Sequence, residues 1–238
     1  MSLATQRLDK FLSTSRQISK GDVRILLAQK RVFVNDQLAQ GIEQRVNKFS
    51  KISLDGEVLQ ENRAHYVMLH KPIGVVCATE DDKHKTVIDL LDFEFRHELH
   101  IVGRLDLNTS GLVLLTNDSR WSEAITKPSR KIEKTYQVTL KHPLDESYIN
   151  AFKAGMYFEY ENITTQPSRL KILAPNKAEV ILTEGKYHQI KRMFGRFRNQ
   201  VLALHRSQIG SLNLDQNLLP GQSRLLLARE IDLFKPQQ

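Results

Sequence analysis

Apolar positions recur with two periods along the chain, and the change between them organises it. Leu8, Phe11 and Leu12 fall on one face of a short first helix. Ser19 reads as an N-cap, with Asp22 three residues on supplying a capping-box-like carboxylate. The helix that follows carries Val23, Leu26 and Leu27 inward and Lys20, Arg24 and Lys30 outward. Val32 and Val34 then alternate with polar neighbours as a strand running into a turn at Asn35-Asp36. Residues 51–54 and 57–59 flank Asp55-Gly56, a strong hairpin signal. The pattern predicts a small unit of two helices followed by short strands over residues 1–60, with a polar linker at 61–65.

The second domain is expected over residues 66–238. Residues 66–69 and 75–77 read as strands around the turn Lys71-Pro72-Ile73-Gly74. Residues 112–116 make a short apolar strand, with a helix expected over 119–126. Residues 134–140 alternate with period two, as an antiparallel strand does. A helix over 147–154 ends at Gly155, strands follow at 170–173 and 178–183, a helix at 188–198, and a strand at 201–204. Strands outnumber helices without regular βαβ alternation, so the fold class expected is α+β, with a mixed, mainly antiparallel sheet in the second domain.

Charge adds a partner to this picture. Lys and Arg outnumber Asp and Glu by 35 to 27, a net charge of +8 over 238 residues. Such a balance favours an anionic partner, nucleic acid first. The cations cluster twice. Arg7, Lys10, Arg16, Lys20, Arg24, Lys30 and Arg31 face only Asp9 and Asp22, and a row of them on helix faces can meet successive phosphates. Lys186, Lys191, Arg192, Arg196, Arg198 and Arg206 face only Glu184, with Tyr187, His188, Phe194 and Phe197 interleaved. Aromatic rings among cations suit splayed RNA, where bases stack and phosphates pair. The single cysteine, Cys77, forms no internal disulfide, and no Cys/His cluster has zinc spacing, so no metal is expected. The polar start of the chain carries no signal-peptide pattern and no apolar run has membrane-spanning length. A soluble cytoplasmic monomer without a membrane partner is the expectation.

The chemistry is concentrated in Gly103-Arg104-Leu105-Asp106-Leu107-Asn108-Thr109-Ser110-Gly111, a polar loop wedged between apolar strands. Its glycines allow a sharp bend or a close approach, and Asn108, Thr109 and Ser110 can satisfy local amides. Alone, Asp106 is as well read as a turn-capping aspartate.

The segment Gly103 to Asp106 followed by Thr109-Ser110-Gly111-Leu112 resembles the catalytic-aspartate motif of the RsuA/RluA pseudouridine synthases. Lys134-Thr135-Tyr136 resembles the motif that carries that family's active-site tyrosine. The run from Glu184 to Phe194 resembles its third motif, and Lys71-Pro72-Ile73-Gly74 its opening. Arg7 to Leu12 and Gln29 to Asn35 resemble an S4 RNA-binding domain, with Asp36-Gln37 where such domains often have glycine. Tyr187-His188-Gln189 ahead of the basic residue resembles the RsuA branch, which modifies one uridine of bacterial 16S rRNA.

The resemblance implies isomerisation of a uridine within 16S rRNA or a small-subunit assembly intermediate, after flipping it from the strand. Nothing is added or lost, so no cofactor is implied. Asp106 is then the carboxylate acting at the sugar, Lys191 the cation that favours its charged form, and Tyr136 a face for the base. Arg104, Leu204, His188, Gln189 and Arg192 are expected at the substrate, and Lys186, Arg196 and Arg206 join the N-terminal cations as RNA contacts. A 23S rRNA target and a non-catalytic RNA-binding protein are the alternatives. A glycosidase would need a second placed carboxylate, and none accompanies Asp106.

Overall fold

The computed structural model describes residues 5–234, so the outermost residues at both chain ends lie outside it, including the first four of the polar start. The chain forms two compact units, the first running to Ala64 and also taking in Asp118–Arg120, the second made of His65–Asn117 and the chain from Trp121 on.

In the first unit, β1 (Gln6–Arg7) leads directly into α1 (Leu8–Arg16), which buries Leu8 and Leu12 as the apolar spacing requires. Helix α2 (Lys20–Ala28) starts at a full capping box: the Ser19 hydroxyl accepts from the Asp22 amide, and the Asp22 carboxylate accepts from the Ser19 amide. Strands β2 (Val32–Val34), β3 (Gln37–Leu38), β4 (Arg45–Val46), β5 (Ile52–Leu54) and β6 (Glu57–Gln60) follow. Four of them form an antiparallel sheet in the order β3-β2-β5-β6. Its two tight turns use positive φ at Asn35 and Asp36 and at Asp55 and Gly56, the backbone that matches hairpin twist. Val23, Val32, Val34, Ile52 and Leu54 close the small core. The pairing of β1 with β4 was not foreseen, since two-residue strands leave no periodic signal.

The second unit is α+β, built on a nine-stranded, mainly antiparallel sheet. Its strands are β7 (Tyr66–Lys71), β8 (His100–Val102), β9 (Ser110–Thr116), β10 (Lys134–Leu140), β13 (Arg169–Ala174), β14 (Lys177–Leu182), β15 (Val201–Ile209), β16 (Leu212–Asn213) and β17 (Ser223–Leu225). The short hairpin β11 (Tyr157–Phe158) and β12 (Ile163–Thr164) stands apart. Strand order is β13-β14-β10-β15-β9-β7-β17, with β16 on β15 and β8 on β9. Helices α3 (Ser119–Thr126) and α6 (Ala228–Asp232) accompany the core around Met68, Leu112, Leu114 and Trp121. Helices α4 (Glu146–Ala154) and α5 (Gln189–Gly195) bury Tyr148, Phe152, Met193 and Phe194 in the larger core, with Val67, Leu69 and Val113. The two sets of strand residues alternate, so the central sheet is apolar on both faces.

Two sequence expectations change. Residues 75–77 are not a strand, because Val76 makes only an isolated bridge to Thr86 while the Cys77 thiol accepts the Leu105 amide at 3.3 Å. The helix expected over 188–198 is confined to Gln189–Gly195, opened by left-handed backbone at its N-cap His188 (φ 48°) and followed by a turn that reaches left-handed backbone at Arg198 (φ 54°).

One junction positions the loop of residues 103–109. Strand β9 pairs with β15 in parallel through Ser110 and Gly111, and then with β8 in antiparallel fashion through residues 114–116. The chain leaving β8 must therefore turn back beside β15 before entering β9. Gly111 makes this possible. It has φ +114°, and a Cβ there would lie 2.2 Å from the Arg206 carbonyl oxygen.

Candidate active site

Loop 103–109 is held from below by two buried cations. Lys71, with no exposed surface, ends β7 and donates from Nζ to the carbonyls of Pro72 (2.9 Å), Leu107 (3.4 Å) and Thr109 (2.8 Å). Burial lowers its pKa from the ordinary lysine value, and Cys77 and Asp106 oppose that effect. Arg206, 1% exposed on β15, donates from Nε to the Leu112 carbonyl (2.8 Å) and from Nη2 to the Gly103 carbonyl (3.1 Å). Arg206 thus joins the two ends of the loop. The sequence reading placed it among RNA contacts, and the structure corrects this: its guanidinium is spent on backbone carbonyls inside the unit. Sequence reasoning had Lys71 only in a turn and an opening motif and missed its role, because nothing local distinguishes a buried lysine from the exposed majority.

The loop so held presents Asp106 to an open cleft of about 90 Å³. Across it, Lys191 on α5 donates from Nζ to Asp106 Oδ2 at 3.3 Å. His188 Nε2 stands 3.6 Å from the same oxygen. Tyr136 on β10 and Leu204 on β15 are both buried and both line the cleft. Leu204 pairs with Val138 and Arg206 with Tyr136, so the tyrosine and the leucine come from adjacent strands. Arg104 lines the cleft as an exposed residue with no ion-pair partner among the described residues. Asp106, Tyr136, Lys191, Arg104, Leu204 and His188 are separated in sequence by as much as 100 residues, yet share one cavity.

The remaining candidates divide. Gln189 lies beside the cleft but is buried, and its amide is occupied within its own loop: Oε1 accepts from the Lys186 amide (3.0 Å) and Nε2 donates to Glu184 (2.7 Å). It braces the loop, where a substrate contact was expected. Arg192 is likewise not free for substrate. It forks onto both carboxylate oxygens of Glu161 and lies 3.9 Å over the Phe158 ring. Lys186 lines the cleft near Glu184, with its Nζ 3.7 Å from that carboxylate, and Arg196 is exposed just past α5. Phe194 is core, and Phe197 stacks on Tyr148 at 4.1 Å.

In the first unit, Lys10, Lys20, Arg24 and Lys30 are exposed and enter no ion pair among the described residues. Arg7 instead pairs with Asp9 and Glu43, Arg16 with Glu57, and Arg31 with Asp55. Part of the expected positive row is therefore already neutralised within the unit.

Chemically, the cleft offers one carboxylate beside an ammonium and an imidazole, a buried aromatic face and a free guanidinium at its edge. It suits a single nucleophilic or electrostatic carboxylate acting on a flat, polar substrate.

Comparison with known proteins gives this arrangement a family. Residues 65–195 match the model of the RNA pseudouridylate synthase family. A ribosomal small subunit pseudouridine synthase A from Pseudomonas aeruginosa is 45% identical over 226 residues, 94% of this chain and 98% of that one. The protein of the same name from Escherichia coli is 38% identical over 94% of this chain and 98% of its own length. A crystal structure of a pseudouridylate synthase superposes with a TM-score of 0.70 at 36% identity, covering 96% of this chain and 99% of that one. No helix among the described residues is long and apolar enough to cross a membrane. The chain, with Asp106 in its cleft, belongs to the RNA pseudouridylate synthase family.

Proposed function

We propose that this isomerase converts a specific uridine of small-subunit ribosomal RNA, 16S rRNA in bacteria, to pseudouridine, with Asp106 as its catalytic carboxylate. The observation that carries the reading is the 3.3 Å pairing of Lys191 with Asp106 in a cleft that also holds Tyr136. The substrate follows from the relatives, whose names specify the small ribosomal subunit over nearly the full length of this chain.

The reaction breaks the C1′–N1 bond, turns the uracil, joins C5 to C1′, and moves one proton from C5 to N1. Atoms and electrons balance without a co-reactant. The uridine leaves its stack to enter the cleft, and Arg104 at the edge occupies the space or the phosphate beside it. Asp106 acts at the sugar, with the Lys191 ammonium donating to its carboxylate while substrate excludes water. Tyr136, packed with Leu204, gives the detached base a flat surface to turn on. The first unit serves as an S4-like docking module, with Lys20, Arg24 and Lys30 on or beside α2 toward phosphate.

The test is Asp106→Asn with a small-subunit rRNA transcript, and pseudouridine mapped in the product. Loss of pseudouridine with RNA affinity retained is expected. Full activity in that variant sinks the assignment of Asp106, and a wild-type product confined to large-subunit rRNA sinks the substrate.

A further inference from the structure

Beside the cleft stands an aromatic pair that the reaction itself does not require. The Tyr187 ring is 76% exposed and stacks on His188 with centroids 3.9 Å apart and planes 19° from parallel. His188 is the residue whose Nε2 approaches Asp106 at 3.6 Å. An exposed tyrosine is ordinary on a loose loop, but this loop is fastened at several points. Buried Gln189 ties Lys186 to Glu184, and the Tyr187 carbonyl accepts from Arg192 Nη1 at 3.4 Å. Arg192 is itself anchored by Glu161 on the β11–β12 hairpin. The fold thus holds a large apolar ring rigidly in water, at the lip of its reactive cleft and among Lys186, Lys191 and Arg192.

A fixed, exposed aromatic at such a lip matches an unpaired nucleic-acid base: the ring takes the base face, and the unpaired Arg104 guanidinium at the cleft is left for a phosphate, since Lys186, Lys191 and Arg192 already face Glu184, Asp106 and Glu161. A protein partner fits less well, because the pair shares His188 with the cleft that faces Asp106. Flipping a uridine also costs its neighbours their stacking partner, roughly a few kcal/mol. A platform at the lip of the cleft returns that contact.

We infer that the Tyr187–His188 stack is a binding platform for the base next to the flipped uridine, with Tyr187 a positioning residue that selects for unpaired RNA around the target. This rests on the synthase reading above. Tyr187→Ala and Tyr187→Phe, each in the full chain, are compared with wild type on a 16S rRNA transcript. Parallel transcripts carry an abasic residue on either side of the converted uridine.

On the intact transcript, Tyr187→Ala should raise KM by roughly 5- to 150-fold, the range of one lost base–aromatic stack. The single-turnover rate at saturation should stay near wild type, and Tyr187→Phe should behave as wild type. On one of the two abasic transcripts, wild type should fall to the level of Tyr187→Ala and the variant should fall no further. Melting temperatures should be equal, since the ring is exposed. A wild-type KM in Tyr187→Ala, or the same loss persisting on both abasic transcripts, overturns the platform. Wild-type protein that forms no pseudouridine on any rRNA overturns the synthase reading instead.

Discussion

Lys71 Nζ donates to the Thr109 carbonyl at 2.8 Å, joining residues 38 positions apart in a site with no exposed surface on the lysine. Lysine at that point fixes loop shape through carbonyls, three residues after the carboxylate. Removing only the donor leaves the Pro72, Leu107 and Thr109 carbonyls unpaired inside the protein, which costs stability. Lys71→Met should therefore melt several degrees below wild type and, at a temperature where it is still folded, lose about 100-fold in kcat, the order expected when a reacting group is misplaced by about an ångström. A wild-type kcat in the folded variant, read by pseudouridine yield alongside calorimetry, would show that Lys71 serves the core alone.

Gly111 has the opposite profile. A Cβ there meets the Arg206 carbonyl oxygen at 2.2 Å, on a backbone with φ +114°. Gly111→Ala should cost roughly 3 kcal/mol or more, from strain plus the displaced β9–β15 pairing. Urea unfolding checks it, and a midpoint like that of wild type would contradict the close approach.

Lys191 tests the charge pair directly. Lys191→Met removes the cation 3.3 Å from Asp106 and should lower kcat/KM by about 100-fold or more, while Lys191→Arg keeps a charge and should retain most of the rate. Single-turnover rates on the transcript decide. Equal loss in both variants would point to shape rather than charge.

Acid stability should depend on His205. Its Nδ1 lies 3.0 Å from the Ser110 hydroxyl, and burial, with a smaller effect of His70 whose ring is 5.5 Å away, lowers its pKa below 6.5. The same cavity holds Glu179 and Asp215. The folded state thus keeps His205 neutral where the unfolded chain takes up a proton. That stability is fully present above pH 6.5 and is lost as pH falls toward the lowered folded value. His205→Gln should flatten the fall in stability below pH 6.5, as measured by denaturant titration across pH; an unchanged slope would refute it.

The first unit offers a salt test. Replacing Lys20, Arg24 and Lys30 by Gln should make the dependence of log affinity on log salt shallower by about 2 to 3 units, the count of lost phosphate contacts. Replacing Arg7 and Arg31 should change it less, because Asp9, Glu43 and Asp55 already engage them. Filter binding across a salt series measures both.

Local patterns were legible because their causes are local. The bounds of α3 and β10 follow from periodicity, and the α2 start follows from Ser19 and Asp22. Asp106, Tyr136 and Lys191 came from motif resemblance, and the fold brings all three to one cleft. The buried cations did not show, since Lys71 and Arg206 are defined by carbonyls that only tertiary structure brings near. Gln189 and Arg192 misled for the same reason. Polar residues in a motif read as substrate contacts until their partners Glu184 and Glu161 appear.

Arg206 has a consequence for biosynthesis. It clasps Gly103 and Leu112 from 103 and 94 residues downstream. A chain emerging from the ribosome contains Asp106 long before it contains that clasp. The carboxylate then sits on an unfastened segment until β15 is added. On the proposed function, competence should therefore arrive only once β15 is added, and a product truncated before β15 should form no pseudouridine even with every motif before it intact.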